Sequence, residues 1–213
     1  AMHHWIAAGA SALLRNQALS VARHHLAAVE QAVAGCVAEW RPDVVHAEQL
    51  QAFANCGPAR AAGIPIVLRM QNVESSLWRQ VAMARRRTRA LLLEARRLRA
   101  GEARAMAGAA RVVALSERDA AELRGLTTDA TRRSVAAIGP PFPAWLPAGP
   151  PVTGQPAIVL AGSGGWWPNK FASDWFLDQV SPLLMAARPG TRIHVYGGAG
   201  ADHDAGAGID CQS

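Results

Sequence analysis

The chain has 213 residues, of which half are apolar, and a formal net charge of +6. This length suits one large domain or parts of two, each with a buried core. Lys170 is the only lysine, so the arginine excess indicates a GC-rich coding sequence as much as a polyanion partner. Without an RNP-like aromatic strand or zinc-finger spacing, no nucleic-acid partner is predicted. No apolar run reaches the ~18 residues of a membrane span. The three cysteines match no metal or redox spacing, and we expect reduced thiols in a cytoplasmic protein.

Strand and helix patterns alternate through the first part of the chain. Apolar residues at helical spacing predict a helix over 6–39, which Arg41-Pro-Asp ends. Short apolar runs predict strands at 44–47, 66–70, 111–115 and 134–138. They are separated by a helix over 49–60, by a helical region over 76–109 that is either continuous or broken near Thr88 or Gly101, and by a helix that begins at Ser116. This alternation predicts an α/β fold with a parallel sheet and right-handed crossovers.

The pattern restarts after a proline-rich segment. Strands at 158–161 and 192–196 flank a predicted helix over 173–187. We therefore predict a partial first domain over 1–139, an interdomain linker over 140–156, the start of a second domain over 157–198, and a glycine-rich, disordered tail over 199–213. Because the chain opens in a helix and the second domain stops after two strands, we expect it to be truncated at both ends.

Polar side chains follow the first two strands, where ligands bind in open parallel sheets. His46 alternates with its apolar neighbour and is expected to point into the fold, although a catalytic role is an alternative. Glu48 at the strand end is a candidate for catalysis, for surface exposure or for a helix cap. Gln71 and Asn72 suit sugar hydroxyls, and Glu74 is a second catalytic candidate. The alternative is a helix start with Asn72 as the cap and Glu74 in the first turn.

Ser116 follows the third strand. With Asp119 three residues later it has the signature of a helix cap, and binding to an acceptor is the alternative.

The glycine turn after the strand at 158–161 is the candidate phosphate site. The backbone N–H groups of Gly162, Ser163, Gly164 and Gly165 can approach an anion, and Lys170 can add a positive charge. The alternative is a tight turn beside Trp166 and Trp167.

Two arginine clusters, 85–89 and 96–99, lie in the helix predicted over 76–109. A solvated helix face explains them, and peripheral contact with an anionic membrane at its inner, cytoplasmic face is the sharper alternative.

The order of these motifs resembles family 4 glycosyltransferases. The resemblance rests on Arg41-Pro-Asp-Val-Val-His-Ala-Glu48, Gln71-Asn-Val-Glu-Ser75, Ala114-Leu-Ser-Glu-Arg-Asp119 and Gly162-Ser-Gly-Gly-Trp-Trp-Pro-Asn169 followed by Trp175-Phe176 and Pro182. It implies the GT-B architecture, two Rossmann-like domains with a cleft between them. It also implies transfer of a sugar from a nucleotide-sugar co-substrate to a glycan or lipid-linked acceptor, with retention of anomeric configuration and with neither an obligatory metal nor a further cofactor.

The resemblance also assigns sides to the candidate residues. His46, Gln71, Asn72 and Ser116 would lie on the acceptor side, and the Gly162–Gly165 turn would hold the donor diphosphate.

The sequence departs from the family pattern at several positions. Glu48 stands where many relatives have a histidine, and Gln71 where the related subgroup often has one. The family's phosphate-binding arginine and lysine pair is not evident, and Lys170 is a loose substitute. The E-x7-E motif of relatives lies beyond the end of this chain, so we expect the polypeptide alone to be inactive or nearly so. A non-catalytic nucleotide- or sugar-binding module and a basic membrane-surface protein are the alternatives.

Overall fold

The computed structural model describes residues 12, 16–84, 89–127, 134–141, 145, 157–165, 167–197 and 209–212. The chain divides into two compact units, Ala1–Pro143 and Ala144–Ser213. The first unit contains helices α1 (Leu19–Ala22), α2 (Ala27–Trp40), α3 (Gln49–Phe53), α4 (Gly57–Ala61), α5 (Glu74–Ala84), α6 (Arg89–Gly108) and α7 (Glu117–Arg124), and strands β1 (Val45–Glu48), β2 (Ile66–Met70), β3 (Arg111–Ala114) and β4 (Val135–Ala137).

The four strands form one parallel sheet in the order β1-β2-β3-β4. Each connection between neighbouring strands contains at least one helix, because parallel strands need a crossover. The predicted α/β class with a parallel sheet is therefore confirmed.

One face of this sheet forms the core of the first unit. Ala47, Leu68, Val112 and Val135 lie in register across the four strands, and all are buried. The helices add fully buried side chains to this core, namely Leu98, Met106 and Leu123. Buried apolar area of this kind is the main stabilising contribution to the unit.

The opposite face of the sheet is more open and carries the polar side chains. His46 is exposed, its partner across the ladder, Val67, is half-buried, and so are Arg69 and Val113 on the same face. The expectation that His46 points into the fold is therefore wrong. In β1 the buried residue is Ala47, and strand alternation places its neighbour His46 on the other face.

The helix predicted over 6–39 is interrupted within its described part. α1 ends at Ala22 and α2 begins at Ala27. Asn55, which lies between α3 and α4, stabilises the backbone between α1 and α2 through hydrogen bonds of its side-chain amide. Its Oδ1 accepts the Leu26 N–H at 3.0 Å, while its Nδ2 donates to the carbonyls of His24 and Gln51.

The second unit is a smaller parallel α/β layer. It contains β5 (Ala157–Ala161), α8 (Trp167–Trp175), a π-helix (Phe176–Val180), α9 (Ser181–Ala187), β6 (Arg192–Tyr196) and β7 (Ile209–Gln212), with strand order β5-β6-β7. Leu177, Ile193 and Val195 form its buried cluster. β7 lies in the segment predicted to be a disordered tail, and that prediction is wrong for these four residues. Ile209 pairs with Ile193, so the strand depends on a neighbour that local sequence does not reveal.

Several sequence-based predictions fall outside the described residues. They include most of the predicted linker (142–144 and 146–156), residues 85–88 of the first arginine cluster, Trp166, and residues 199–208 and 213 of the tail. In the part of the chain that is described, no helix has both the length and the apolar character to cross a bilayer.

Candidate functional site

Glu48 ends β1 and is the centre of a polar cluster. Arg69, its partner across the ladder on β2, donates through Nη1 to Oε1 at 3.0 Å and to Oε2 at 3.2 Å. Gln71, just beyond β2, donates through Nε2 to Oε1 at 2.7 Å. His46 Nε2 lies 3.7 Å from Oε2. Parallel pairing thus brings two predicted residues, Glu48 and Gln71, into direct contact at the carboxyl edge of the sheet.

This environment fixes the charge state of Glu48. The hydrogen bond from Gln71, followed by the hydrogen bond and charge of Arg69, lowers the pKa of the Glu48 carboxyl, although partial burial opposes them. Glu48 is therefore ionised at neutral pH. It can accept hydrogen bonds and balance a positive charge, but it is not suited to donate a proton.

The backbone turns sharply directly after Glu48. Gln49 has a φ of 68°, in the left-handed region that non-glycine residues rarely occupy. Its Oε1 is buried and has no hydrogen-bond partner among the described residues. A strained backbone beside a cluster of polar groups is a feature that concentrates at functional sites.

The corner after β2 alternates between exposed and buried side chains. Gln71 and Asn72 are exposed, Val73 is buried in the core, and Glu74 is the first residue of α5. Val73 therefore anchors the corner while the two amides face outward. Glu74 is partly buried, and burial raises the pKa of its carboxyl, against a hydrogen bond from the Trp78 side chain.

The start of α5 is capped by Glu102, a residue of α6 that sequence analysis did not identify. Its carboxylate accepts the Ser75 N–H at 3.1 Å and the Ser75 hydroxyl at 2.5 Å, and it is fully buried. Burial raises the pKa of the Glu102 carboxyl. Hence the described cap is a carboxylate from another helix and not Asn72, which leaves the Asn72 amide for other contacts. No local sequence signal marks Glu102, because its partner is 27 residues away.

A cavity of about 130 Å³ joins the corner after β2 to the start of α7. Asn72 and Asp119 line it, together with Arg118 of α7. Ser76 donates a hydrogen bond to Glu122, and this bond connects α5 to α7 at the same place. The cavity is smaller than the 300 Å³ or more that is typical of a complete ligand pocket, so it suits part of a larger molecule.

Ser116 is the cap of α7. Its Oγ accepts the Asp119 N–H at 3.1 Å and donates to Asp119 Oδ2 at 2.7 Å. The capping interpretation is confirmed, and Ser116 thereby holds Asp119 at the cavity. A direct contact between Ser116 and an acceptor stays a prediction.

Backbone hydrogen bonds connect the glycine turn of the second unit to the end of β6. The N–H of Gly162 donates to Tyr196 at 3.2 Å, and the N–H of Gly164 donates to Gly197 at 2.7 Å. A Cβ on Gly197, whose φ is 86°, would lie 2.5 Å from the Gly162 carbonyl oxygen. This position therefore requires glycine.

The phosphate prediction consequently rests on the remaining backbone N–H groups of the turn, those of Ser163 and Gly165, and on Lys170. Lys170 Nζ lies 3.4 Å from both carboxylate oxygens of Asp174, one turn later in α8. The structure does not test whether a phosphate binds here, and the assignment stays a prediction.

We define the carboxyl-edge cluster as Glu48, Arg69, Gln71, Asn72 and Asp119. Sequence analysis named Glu48, Gln71 and Asn72 as candidate ligands and Asp119 only as part of a cap signature. It missed the role of Arg69, although a lone charge in an apolar strand was a usable signal. Glu74 lies at the same corner but contacts Trp78 rather than the cluster. Within the described ranges there is no group of three or more His, Cys, Asp or Glu side chains that could hold a metal ion.

Comparison with known proteins gives one positive finding. The family model described as a glycosyl transferase 4-like domain matches residues 2–139. No curated protein matches the chain. The matched segment contains the whole carboxyl-edge cluster.

Proposed function

Since the chain belongs to the glycosyl transferase 4-like domain family, we propose that it takes part in transferring a sugar from a nucleotide-sugar donor to a glycan or lipid-linked acceptor. The resemblance noted above implies retention of anomeric configuration and no obligatory metal. We assign the acceptor to the carboxyl-edge cluster of the first unit and the donor diphosphate to the Gly162–Gly165 turn.

The observation that carries the proposal is the chemistry of the carboxyl-edge cluster. Gln71 and Asn72 present exposed amides, each with donor and acceptor atoms, beside the ionised carboxylate of Glu48. Sugar hydroxyls need this mixture, because every hydroxyl both donates and accepts a hydrogen bond. The cluster also lies where open parallel sheets bind their ligands.

The contacts assign a separate role to each side chain. Glu48 accepts one N–H of Gln71 and so orients this amide, whose Oε1 and second N–H can meet an acceptor hydroxyl. Arg69 balances the charge of Glu48, which makes these two residues a positioning pair. Asn72 and Asp119 contact the acceptor from the small cavity between α5 and α7.

For the donor, the proposal is supported by the backbone N–H groups of Ser163 and Gly165 and by the nearby charge of Lys170. A diphosphate leaving group gains negative charge during transfer, and prearranged N–H donors stabilise such charge.

The test compares Asn72→Ala with the wild type in calorimetric titrations with a panel of glycan acceptors and, separately, with UDP- and GDP-sugars, because the chain alone is expected to be inactive or nearly so. We expect the affinity for the acceptor to fall roughly tenfold, the effect of losing one or two hydrogen bonds, while donor affinity stays unchanged. Gln179→Ala, at an exposed residue of the second unit, is the matched control.

Two results would contradict this assignment. A loss of donor affinity in Asn72→Ala would place the donor, not the acceptor, at the cluster. Binding of nucleotide sugars with no binding of any glycan acceptor, in the wild type as well, would identify a nucleotide-sugar-binding module instead.

A further inference from the structure

A larger cavity, of about 310 Å³, lies on the helical side of the first unit and shares no residue with the carboxyl-edge cluster. The residues that line it include the apolar Val21, Leu50 and Phe53 and the basic Arg60, Arg97 and Arg104. Its volume is within the range of small-molecule sites. An apolar surface combined with several cations is typical of a site for an amphipathic anion.

The helix pattern brings the arginines together. Arg97, Gly101 and Arg104 lie on one face of α6, at positions i, i+4 and i+7. A Cβ on Gly101 would meet nothing within 4 Å, so the space between the two arginines is open. Arg60 reaches the cavity from α4, with its guanidinium carbon 5.2 Å from the centre of the Phe53 ring.

These cations lack compensating charge in the described part of the chain. None of Arg60, Arg97 and Arg104 forms an ion pair with a described carboxylate, and no described residue lining the cavity is acidic. Arg97 Nε is buried and has no hydrogen-bond partner within the described ranges. A buried donor of this kind is costly unless a partner satisfies it.

We propose that this cavity, the arginine pocket, binds a phosphate monoester whose organic group is apolar. A phosphate dianion matches clustered guanidinium groups better than a singly charged carboxylate, because it offers more acceptor oxygens and more charge. The organic group lies against Leu50 and Phe53. A soluble aryl or alkyl phosphate and the headgroup of phosphatidic acid share this chemistry. The inference does not depend on the proposed sugar transfer.

The first test is calorimetric titration of the full chain with phenyl phosphate. We expect saturable binding of one molecule per chain, with no binding of phenol. We expect the variant Arg97→Gln/Arg104→Gln to weaken binding about tenfold or more, because two charge-assisted contacts are lost. The control Arg96→Gln/Arg99→Gln removes the same charge from exposed positions of the same helix, and its affinity should stay within about twofold of wild type.

A second variant separates pocket binding from general attraction to charge. Gly101→Leu fills the space between Arg97 and Arg104 without changing any charge, and it should abolish phenyl phosphate binding. Thermal unfolding without ligand distinguishes a binding role from a structural one. A binding role predicts that Arg97→Gln/Arg104→Gln keeps or raises the Tm, because repulsion between unpaired cations is relieved.

Flotation with vesicles of phosphatidylcholine, with or without phosphatidic acid, distinguishes a lipid phosphate from a soluble phosphate as the ligand. Attachment only to phosphatidic acid, lost in Arg97→Gln/Arg104→Gln and kept in the control, would identify a lipid headgroup. Binding of phenyl phosphate without attachment to vesicles would identify a soluble ligand. Equal loss in both double variants, or no binding of either probe, would overturn the proposal.

Discussion

Glu48 keeps its charge because its neighbours are hydrogen-bond donors. Gln71 makes the shortest of these bonds, at 2.7 Å, and its hydrogen bond is the largest cause of the lowered pKa. The site thus contains a fixed anion whose position depends on a neutral amide. This dependence can be measured directly.

Replacing Gln71 by Leu should raise the pKa of the Glu48 carboxyl towards its ordinary value, because the main stabilising donor to the ionised form is lost. A carboxyl-detected NMR titration of wild type and Gln71→Leu measures the shift. Because the folded-state pKa is lowered, Glu48 stabilises the fold above its unfolded pKa, and this contribution is lost as pH falls through the folded value. As pH is lowered, the free energy of unfolding should therefore fall less in Gln71→Leu than in the wild type.

Gln179→Leu, at an exposed position of the second unit, is the control and should leave the Glu48 titration unchanged. An unaltered Glu48 pKa in Gln71→Leu would mean that Arg69 alone holds the charge.

Sequence reasoning named Glu48, Gln71 and Asn72 as candidate ligands but did not predict their contacts. Glu48 and Gln71 could be named because each lies at the end of an apolar run. Their hydrogen bond depends on the ladder register that sets Glu48 opposite Arg69, which is a property of two strands and not of either alone. The same limit explains why the inward orientation of His46 was predicted wrongly.

At the scale of elements, the buried carboxylate of Glu102 connects α6 to the first turn of α5. Burial raises its pKa, so protonation of this carboxyl stabilises the folded state relative to the unfolded state. A raised folded pKa means that this stabilisation is complete in acid and is lost as pH rises through the folded value. The pH range over which this stabilisation is lost begins near the ordinary carboxyl pKa of 4.5 and extends to higher pH.

We therefore expect Glu102→Gln to reduce the decline in unfolding free energy as pH rises above about 4.5, since one ionisation is removed. Part of the decline should remain, because burial also raises the pKa of Glu74. Urea unfolding at a series of pH values measures the effect. Glu39→Gln, at an exposed position of α2, should retain the wild-type profile, and an identical profile in Glu102→Gln would contradict the account.

Gly35 and Gly63 distinguish the effect of backbone conformation on stability from the effect of the space available to a side chain. A Cβ on Gly35 or on Gly63 would meet nothing within 4 Å, but Gly35 lies inside α2 whereas Gly63 has a φ of 72°. Gly35→Ala should stabilise the protein by about 0.5–1 kcal/mol through helix propensity. Gly63→Ala should destabilise it by about 1–2 kcal/mol, because L-residues avoid the left-handed region.

Thermal and urea unfolding of the two variants would check both signs. Equal effects would show that the local backbone conformation does not decide the outcome at these sites.

Strands were easier to predict than helices for a physical reason. β2 has the predicted bounds of 66–70, because a short buried strand is a short apolar run. The interruption between α1 and α2 was missed, because the Asn55 amide that satisfies its backbone groups comes from a later segment. The single helix predicted over 49–60 is likewise two helices, α3 and α4, with Asn55 between them.

At the scale of the molecule, the two units have unequal cores. The buried cluster of the first unit includes side chains from all four strands and several helices. The described cluster of the second unit consists of Leu177, Ile193 and Val195, with partly buried neighbours. Because stability follows buried apolar area, the smaller unit should open more readily.

Native-state hydrogen exchange should show this difference. We expect backbone amides of β6 to exchange through openings of lower free energy than those of β2. Uniform protection of both strands would indicate that the units unfold as one cooperative body.

The parallel α/β class and the family were predictable from alternation and from the order of motifs, because both are properties of many residues at once. β7 was not predictable, since its support comes from pairing with β6.

Arg69 has a consequence for folding fidelity beyond its contact with Glu48. It stands between Leu68 and Met70, which are fully buried. A slip of β2 by a single position would exchange the two faces and force a guanidinium among aliphatic side chains. The charge that helps to form the cluster therefore also penalises off-register assembly, and a neutral replacement would remove a safeguard against mispaired sheets.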